Sequence, residues 1–246
     1  MRCPDMRWLS VPLLLSALSA CGAPTQTAGS YNLRIADAAL SSGSPQVALQ
    51  VLDNTLKSDP RNLEALLRQG KANVQAGNTA AAEASFRRAI AVDAGNTEAH
   101  TGLGKVLLAS NVAEAETHFA LVAERESGNT AVLNNLGVAR DIQGKHAEAQ
   151  EAYRKALTVN PGLASAQQNL ALSLAISGRP QEGAVMLNQL ANAGTGGRKV
   201  RDNLAVALAL AGETAQAGQV LREELNPTDT ATALDGYRAL KPRAVP

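Results

Sequence analysis

The stretch LNNLGVARDIQGKHAEAQEAYRKALTVNP, Leu133 to Pro161, decides the fold. It places Leu136-Gly137, Gly144, Ala149, Tyr153, Ala156 and Pro161 at the spacings of two antiparallel helices joined by a tight turn. Each residue type has a physical task. Gly137 and Ala149 are small, so the two helices can approach closely. Tyr153 fills the space between neighbouring units, and Pro161 stops the second helix because it has no N–H to donate.

The frame recurs along the chain, and such periodicity outweighs any single motif. Leu63 to Asn96 puts Gly70, Gly77, Ala82, Phe86 and Ala89 at equivalent positions, and Gly29 to Asn62 puts Ala36, Gly43, Ala48, Leu52 and Pro60 there. Thr97 to Asn129 supplies Gly104, Ala115 and Phe119 with one residue missing from its inner turn. Ala164 to Gly197 supplies Leu170-Ala171, Gly178 and Leu187; Arg198 to about Asn226 supplies Leu204-Ala205, Gly212, Ala217 and Leu221. The pattern resembles the tetratricopeptide repeat, a helix-turn-helix of about 34 residues. Six units over 29–226 imply an all-α, right-handed solenoid of about twelve helices, each touching only its neighbours. After Pro227, TDTATALDGYRAL reads as one more helix, N-capped by Thr228 or Asp229, which covers the exposed end within 227–246. Composition agrees: aromatics are only 2% of the 246 residues, so the core must be built from small residues, which suits close-packed helices.

The start of the chain has a different logic. Arg2 and Arg7 precede a short apolar run, WLSVPLLLSA, too short for the roughly 20 residues that span a bilayer. A charged start, a brief apolar core and a small-residue exit read as a secretory signal over 1–20, whether translation begins at Met1 or Met6. Leu18, Ser19, Ala20 and Cys21 resemble the lipobox of bacterial lipoproteins, which implies cleavage before Cys21 and acylation of its thiol and amino group. Cys3 leaves with the signal, so Cys21 has no internal disulfide partner. Gly22 follows it rather than Asp, so the inner-membrane retention signal is absent and the expected location is the periplasmic face of the outer membrane. Residues 21–28 read as a lipidated flexible tether.

The formal net charge is +1, with no basic stripe, which argues against nucleic acid as a partner. No catalytic constellation, cofactor fingerprint or small-molecule substrate site is evident, so the expectation is a protein-binding module and not an enzyme. His100, His118 and His146 fall in different repeat contexts with no second histidine at helical spacing, so packing or exposed surface is their expected role. GLGK at Gly102 to Lys105 lacks the spacing of a phosphate loop, and GTGGRK at Gly194 to Lys199 reads as an inter-unit turn.

Solenoids of this kind line their concave face with the first helix of each unit. Asn135, Asn169 and Asn203 recur there at strict 34-residue intervals. Val138, Leu172 and Val206 follow three residues on, and Ile142, Ile176 and Leu210 four beyond those, so each trio shares one side of its helix. A row of amides beside an apolar strip is a candidate peptide groove, since an amide pairs with any backbone. The competing role for these residues is packing between repeats. The first three units carry Arg34, Arg68 and Gly102 instead, with Lys71 and Lys105 three residues after the last two.

QQNLALSLAISG and VRDNLAVALALAGETAQAGQVLREELNP, followed by a helix ending YRAL, resemble the C-terminal repeats of TadD-like lipoproteins of tight-adherence (Flp) pilus systems. Asp202 stands where that family leads one to expect glutamine. The resemblance implies a lipid-anchored helper of pilus assembly, pilotin-like toward a secretin or binding another pilus-assembly component. The alternative is a periplasmic scaffold for cell-wall hydrolases or for outer-membrane protein assembly.

Overall fold

The computed structural model describes residues 28–223 and 225–239. The expectations for residues 1–20, for Cys21 and for the tether through Thr27 lie outside the described residues. Among the described residues, thirteen α-helices form six pairs and a final single helix: α1 (Ala28–Ser41) with α2 (Pro45–Ser58), α3 (Leu63–Gln75) with α4 (Thr79–Val92), α5 (Thr97–Leu107) with α6 (Val112–Arg125), α7 (Thr130–Ile142) with α8 (His146–Val159), α9 (Ala164–Ile176) with α10 (Pro180–Asn192), α11 (Gly197–Ala211) with α12 (Thr214–Arg222), and α13 (Pro227–Ala239). Each helix packs on the one before and the one after it. In addition α1 meets α3, α3 meets α5, α7 meets α9, α9 meets α11, and α11 meets α13. Among the described residues no comparable pairing joins even-numbered helices, so the odd-numbered helices line the tighter, inner side of a curved stack. The all-α repeat solenoid is the fold.

Local chemistry sets the boundaries. Asn62, Asn96 and Asn129 close their units and cap the next helix, their side-chain oxygens accepting the N–H groups of Ala65, Ala99 and Val132 at 3.0, 2.9 and 3.1 Å. Gly77 and Gly144 turn the chain between paired helices with φ of 75° each, a region that costs glycine nothing. The third unit lacks that glycine and one residue with it; its turn is instead closed by the Asn111 N–H on the Leu107 carbonyl at 2.8 Å.

The aromatic residues work as wedges. Phe86 is 2% exposed, and a Cβ at Gly70 or at Gly102 would stand 2.6 or 2.5 Å from its ring. The ring therefore needs glycine both in its own unit and in the next. Tyr153 lies against Gly137 of its own pair, with Leu170 and Leu174 of the following unit in the same cluster, so it packs within a unit as well as between units. Burying Phe86, Phe119 and Tyr153 contributes about 1.5–3 kcal/mol each.

At the C-terminal end α13 packs on α11 and α12, bringing Leu234 and Tyr237 against the cluster that contains Leu204, Leu208 and Leu210. Its N-cap differs from the expected Thr228 or Asp229. Asn226 accepts the Asp229 N–H at 2.9 Å and donates to the Asp229 carboxylate at 2.8 Å. Pro227 is the first helical residue, where its missing N–H would have no partner anyway.

Candidate functional site

An open groove of about 750 Å³ runs over the second and third units, lined mainly by α3 and α5. Val74, 52% exposed, forms one wall; Val106 and Ala109 form the other, and Phe86 is at the floor. The depression exists because Gly102 has no side chain. At that repeat position the three later units carry asparagine, which would stand in the space. Lys71 and Lys105 border the groove; Lys71 pairs with Glu98 at 2.5 Å, while Lys105 is exposed. Glu126 closes the far end, held below the usual carboxylate range by hydrogen bonds from Thr97 and Asn129, so it stays charged. A ladder of charge continues toward the N-terminus, where Arg68 meets Asp37 at 2.8 Å and Glu64 at 3.1 Å. The surface thus offers an apolar trough between charged rails, suited to an amphipathic peptide segment.

The amide row falls on the same odd-numbered helices but is partly engaged with itself. Asn135, Asn169 and Asn203 are each half-buried, and Asn169 donates to Asn134 on the preceding unit at 3.0 Å. The Asn203 side-chain nitrogen is buried with no protein partner, as is that of Gln168. Val138, Leu172, Val206 and Ile176 are half-buried and Ile142 is 57% exposed. Leu210 departs from the expected strip: it is 8% exposed, sealed in the cluster that α13 completes. The apolar strip therefore narrows in the last unit, where Val206 stays half-buried but the capping helix covers Leu210.

Two clusters were not foreseen. His100 and His118 belong to the same unit, and their Nδ1 atoms lie 2.8 Å apart, so the expectation of unrelated surroundings is corrected. The sequence held a signal: these residues occupy the positions of Leu133 and Ala152 in the next unit, both core residues. The second cluster centres on Asp141 of α7, whose carboxylate accepts from His146 Nδ1 at 2.8 Å, Ser173 Oγ at 2.7 Å and Tyr153 OH at 2.9 Å. Burial, then the Asp141 charge, pushes the Tyr153 phenol up, so it remains a donor. Ser173 bonds to the carboxylate rather than to the imidazole, so these three residues tie α7, α8 and α9 together and form no nucleophile. Gly102 and Gly104 lie inside α5, against Phe86 and Phe119; Gly194 and Gly196 in the turn before α11, and Gly197 at its first position, all have positive φ. Among the described residues, no group of three or more His, Cys, Asp or Glu is placed to hold a metal ion.

Comparison with known proteins agrees with this architecture. Over 95 residues the chain is 37% identical to the human FK506-binding protein-like protein, covering 39% of this chain and 27% of that one. The chain thus spans only about a quarter of the length of the curated relatives it matches. Among solved structures, pilF of Pseudomonas aeruginosa superposes with a TM-score of 0.69 at 20% identity, covering 87% of this chain and 97% of that one. MamA from Desulfovibrio magneticus RS-1 superposes with a TM-score of 0.63 at 21% identity, covering 67% and 93%. At such identities the likeness is one of fold. Tetratricopeptide-repeat family models match residues 33–99, 67–131 and 130–163, together more than half of the chain, which therefore belongs to the tetratricopeptide-repeat family of protein-interaction modules.

Proposed function

We propose that this chain is a docking scaffold of an envelope assembly machine. Anchored by lipid on Cys21 at the periplasmic face of the outer membrane, it assists assembly of a tight-adherence (Flp) pilus and acts as a pilotin toward the pilus secretin. The observation that carries the docking role is the open trough over Phe86 and Gly102, with Lys105 exposed at its edge. The pilus assignment draws on the resemblance of the last repeat and the lipobox, and on the fold shared with the pilus-related pilF.

An amphipathic partner segment would seat an apolar side chain in the trough and a carboxylate against Lys105. Each new hydrogen bond contributes about 0.5–1.5 kcal/mol net, and a buried apolar side chain about 1.5–3 kcal/mol, so a single trough binds weakly. Anchoring scaffold and partner to one membrane raises their effective concentration, and micromolar intrinsic affinity then suffices.

The test is capture from envelope extracts with the tagged full chain, with Lys105→Glu as the comparison. Secretin recovered by the natural chain and lost with Lys105→Glu supports the proposal. Recovery of cell-wall hydrolases in its place favours the other scaffold role. Cys21→Ser should move the protein from membrane to soluble envelope fractions, because stable anchoring needs more than one acyl chain.

A further inference from the structure

His100 and His118 face each other across the α5–α6 seam, their ring centroids 4.9 Å apart. His100 Nε2 lies 3.2 Å from the Ala94 carbonyl oxygen, a contact that requires an N–H. Neutral His100 therefore carries its proton on Nε2 and offers Nδ1 as the acceptor. His118 must donate from Nδ1, which leaves its Nε2 a bare lone pair; both tautomers are assigned from the hydrogen-bond network. That Nε2 is buried, has no hydrogen-bond partner, and faces the Glu114 carboxylate at 3.6 Å. Both rings sit behind α5, the helix that presents Gly102 and Lys105 to the trough.

We propose that the pair is a single-proton latch on the wall of the groove: neutral or singly protonated it clamps α5 to α6, and a second proton forces the helices apart. The regulatory part rests on the groove being the docking site, while the latch itself can be read with no partner present. The titratable and charged groups facing His118 are His100 on α5, Glu114 on α6 and Arg87 on α4. Burial first, and then His100, hold its imidazole below the usual range in spite of Glu114. The first proton goes to Nε2, giving Glu114 a donor beside Arg87, which already meets the carboxylate at 2.7 Å. A second proton would set two N–H groups against each other across 2.8 Å.

The unfolded chain protonates the His118 imidazole below a pH of about 6.5, whereas in the folded chain burial and the His100 ring hold that imidazole below its ordinary range. The unfolded state then binds more protons, so stability falls as pH drops below that value. The experiment is urea unfolding of the full chain at pH 7.5 and 5.5, with His118→Asn, which keeps a donor at the Nδ1 position and cannot titrate. The unfolding constant of the natural chain should rise about three- to tenfold more than that of the variant. An equal rise overturns the latch. Should His118→Asn fail to fold, ring-nitrogen NMR of the natural chain decides instead: the folded pair must take up one proton and no second, and two overturn it. Hydrogen exchange at pH 5.5 tests the link to the groove. Protection of α5 should fall about tenfold while that of α9 holds, and unchanged α5 protection overturns the regulatory reading whether or not the groove binds a partner.

Discussion

Replacing Asp141 by alanine, alone and together with Tyr153→Phe, probes the polar node that joins α7, α8 and α9. Tyr153 is 1% exposed and Ser173 is fully buried, so loss of the carboxylate strands two buried hydroxyls. The Ser173 hydroxyl can turn to a backbone carbonyl one helical turn back, which limits its cost. The tyrosine hydroxyl has no such recourse, and an orphaned buried donor costs about 1–3 kcal/mol. His146 also loses its charged acceptor, but it is 28% exposed and water replaces much of that bond. Alanine returns a few tenths of a kcal/mol in helix propensity. The net loss should be about 2–4 kcal/mol, read by urea denaturation monitored by circular dichroism. Adding Tyr153→Phe removes the stranded hydroxyl, so the double variant should be more stable than Asp141→Ala by about 1 kcal/mol. A double variant less stable than Asp141→Ala would refute the reasoning, since Tyr153 would then contribute through something other than its bond to Asp141.

Gly183→Ala should destabilise by about 1–2 kcal/mol: a Cβ there would meet the Ala171 carbonyl oxygen and stand 2.9 Å from Ala175 Cβ, while alanine gains helix propensity. Gly128→Ala, with nothing within 4 Å, should stay within about 0.5 kcal/mol in the same denaturation assay. Burial opposes ionisation of Glu116, yet Lys145, Arg140 and Gln143 outweigh it and hold the carboxyl below its usual range. Its folded value being the lower one, the stability it supplies is present at neutral pH and lost as pH falls below about 4.5. Glu116→Gln should therefore be less stable than the natural chain at pH 7, with the difference shrinking on acidification through that window.

The repeats were legible because their spacing rules are steric. Gly70, Gly104 and Gly137 each sit where an aromatic ring of the paired helix leaves no room for a Cβ, and the first, fifth and sixth units carry alanine, the next smallest residue, at that position. What could not be read were contacts that depend on side-chain direction. His100 and His118 are eighteen positions apart, and only the α5–α6 crossing brings their Nδ1 atoms together. Asp141 on α7 gathers donors from α8 and α9 for the same reason. The amide pattern points to Asn135, Asn169 and Asn203, whereas the open trough over Phe86 lies where Gly102 interrupts that pattern. By its sequence Pro227 reads as preceding the last helix, yet it is the first residue of it, because Asn226 rather than Thr228 or Asp229 accepts the capping N–H.

The central claim, that a partner segment lies in the trough over Phe86 and Gly102, is tested most directly by site-specific photo-crosslinking in cells. A photoreactive residue at Ala109 lines the trough; one at Val185, 58% exposed on α10, reports the opposite side of the stack. An adduct with the pilus secretin should form from Ala109 and disappear with Lys105→Glu, and none should form from Val185. An adduct from Val185 with none from Ala109 would contradict the claim.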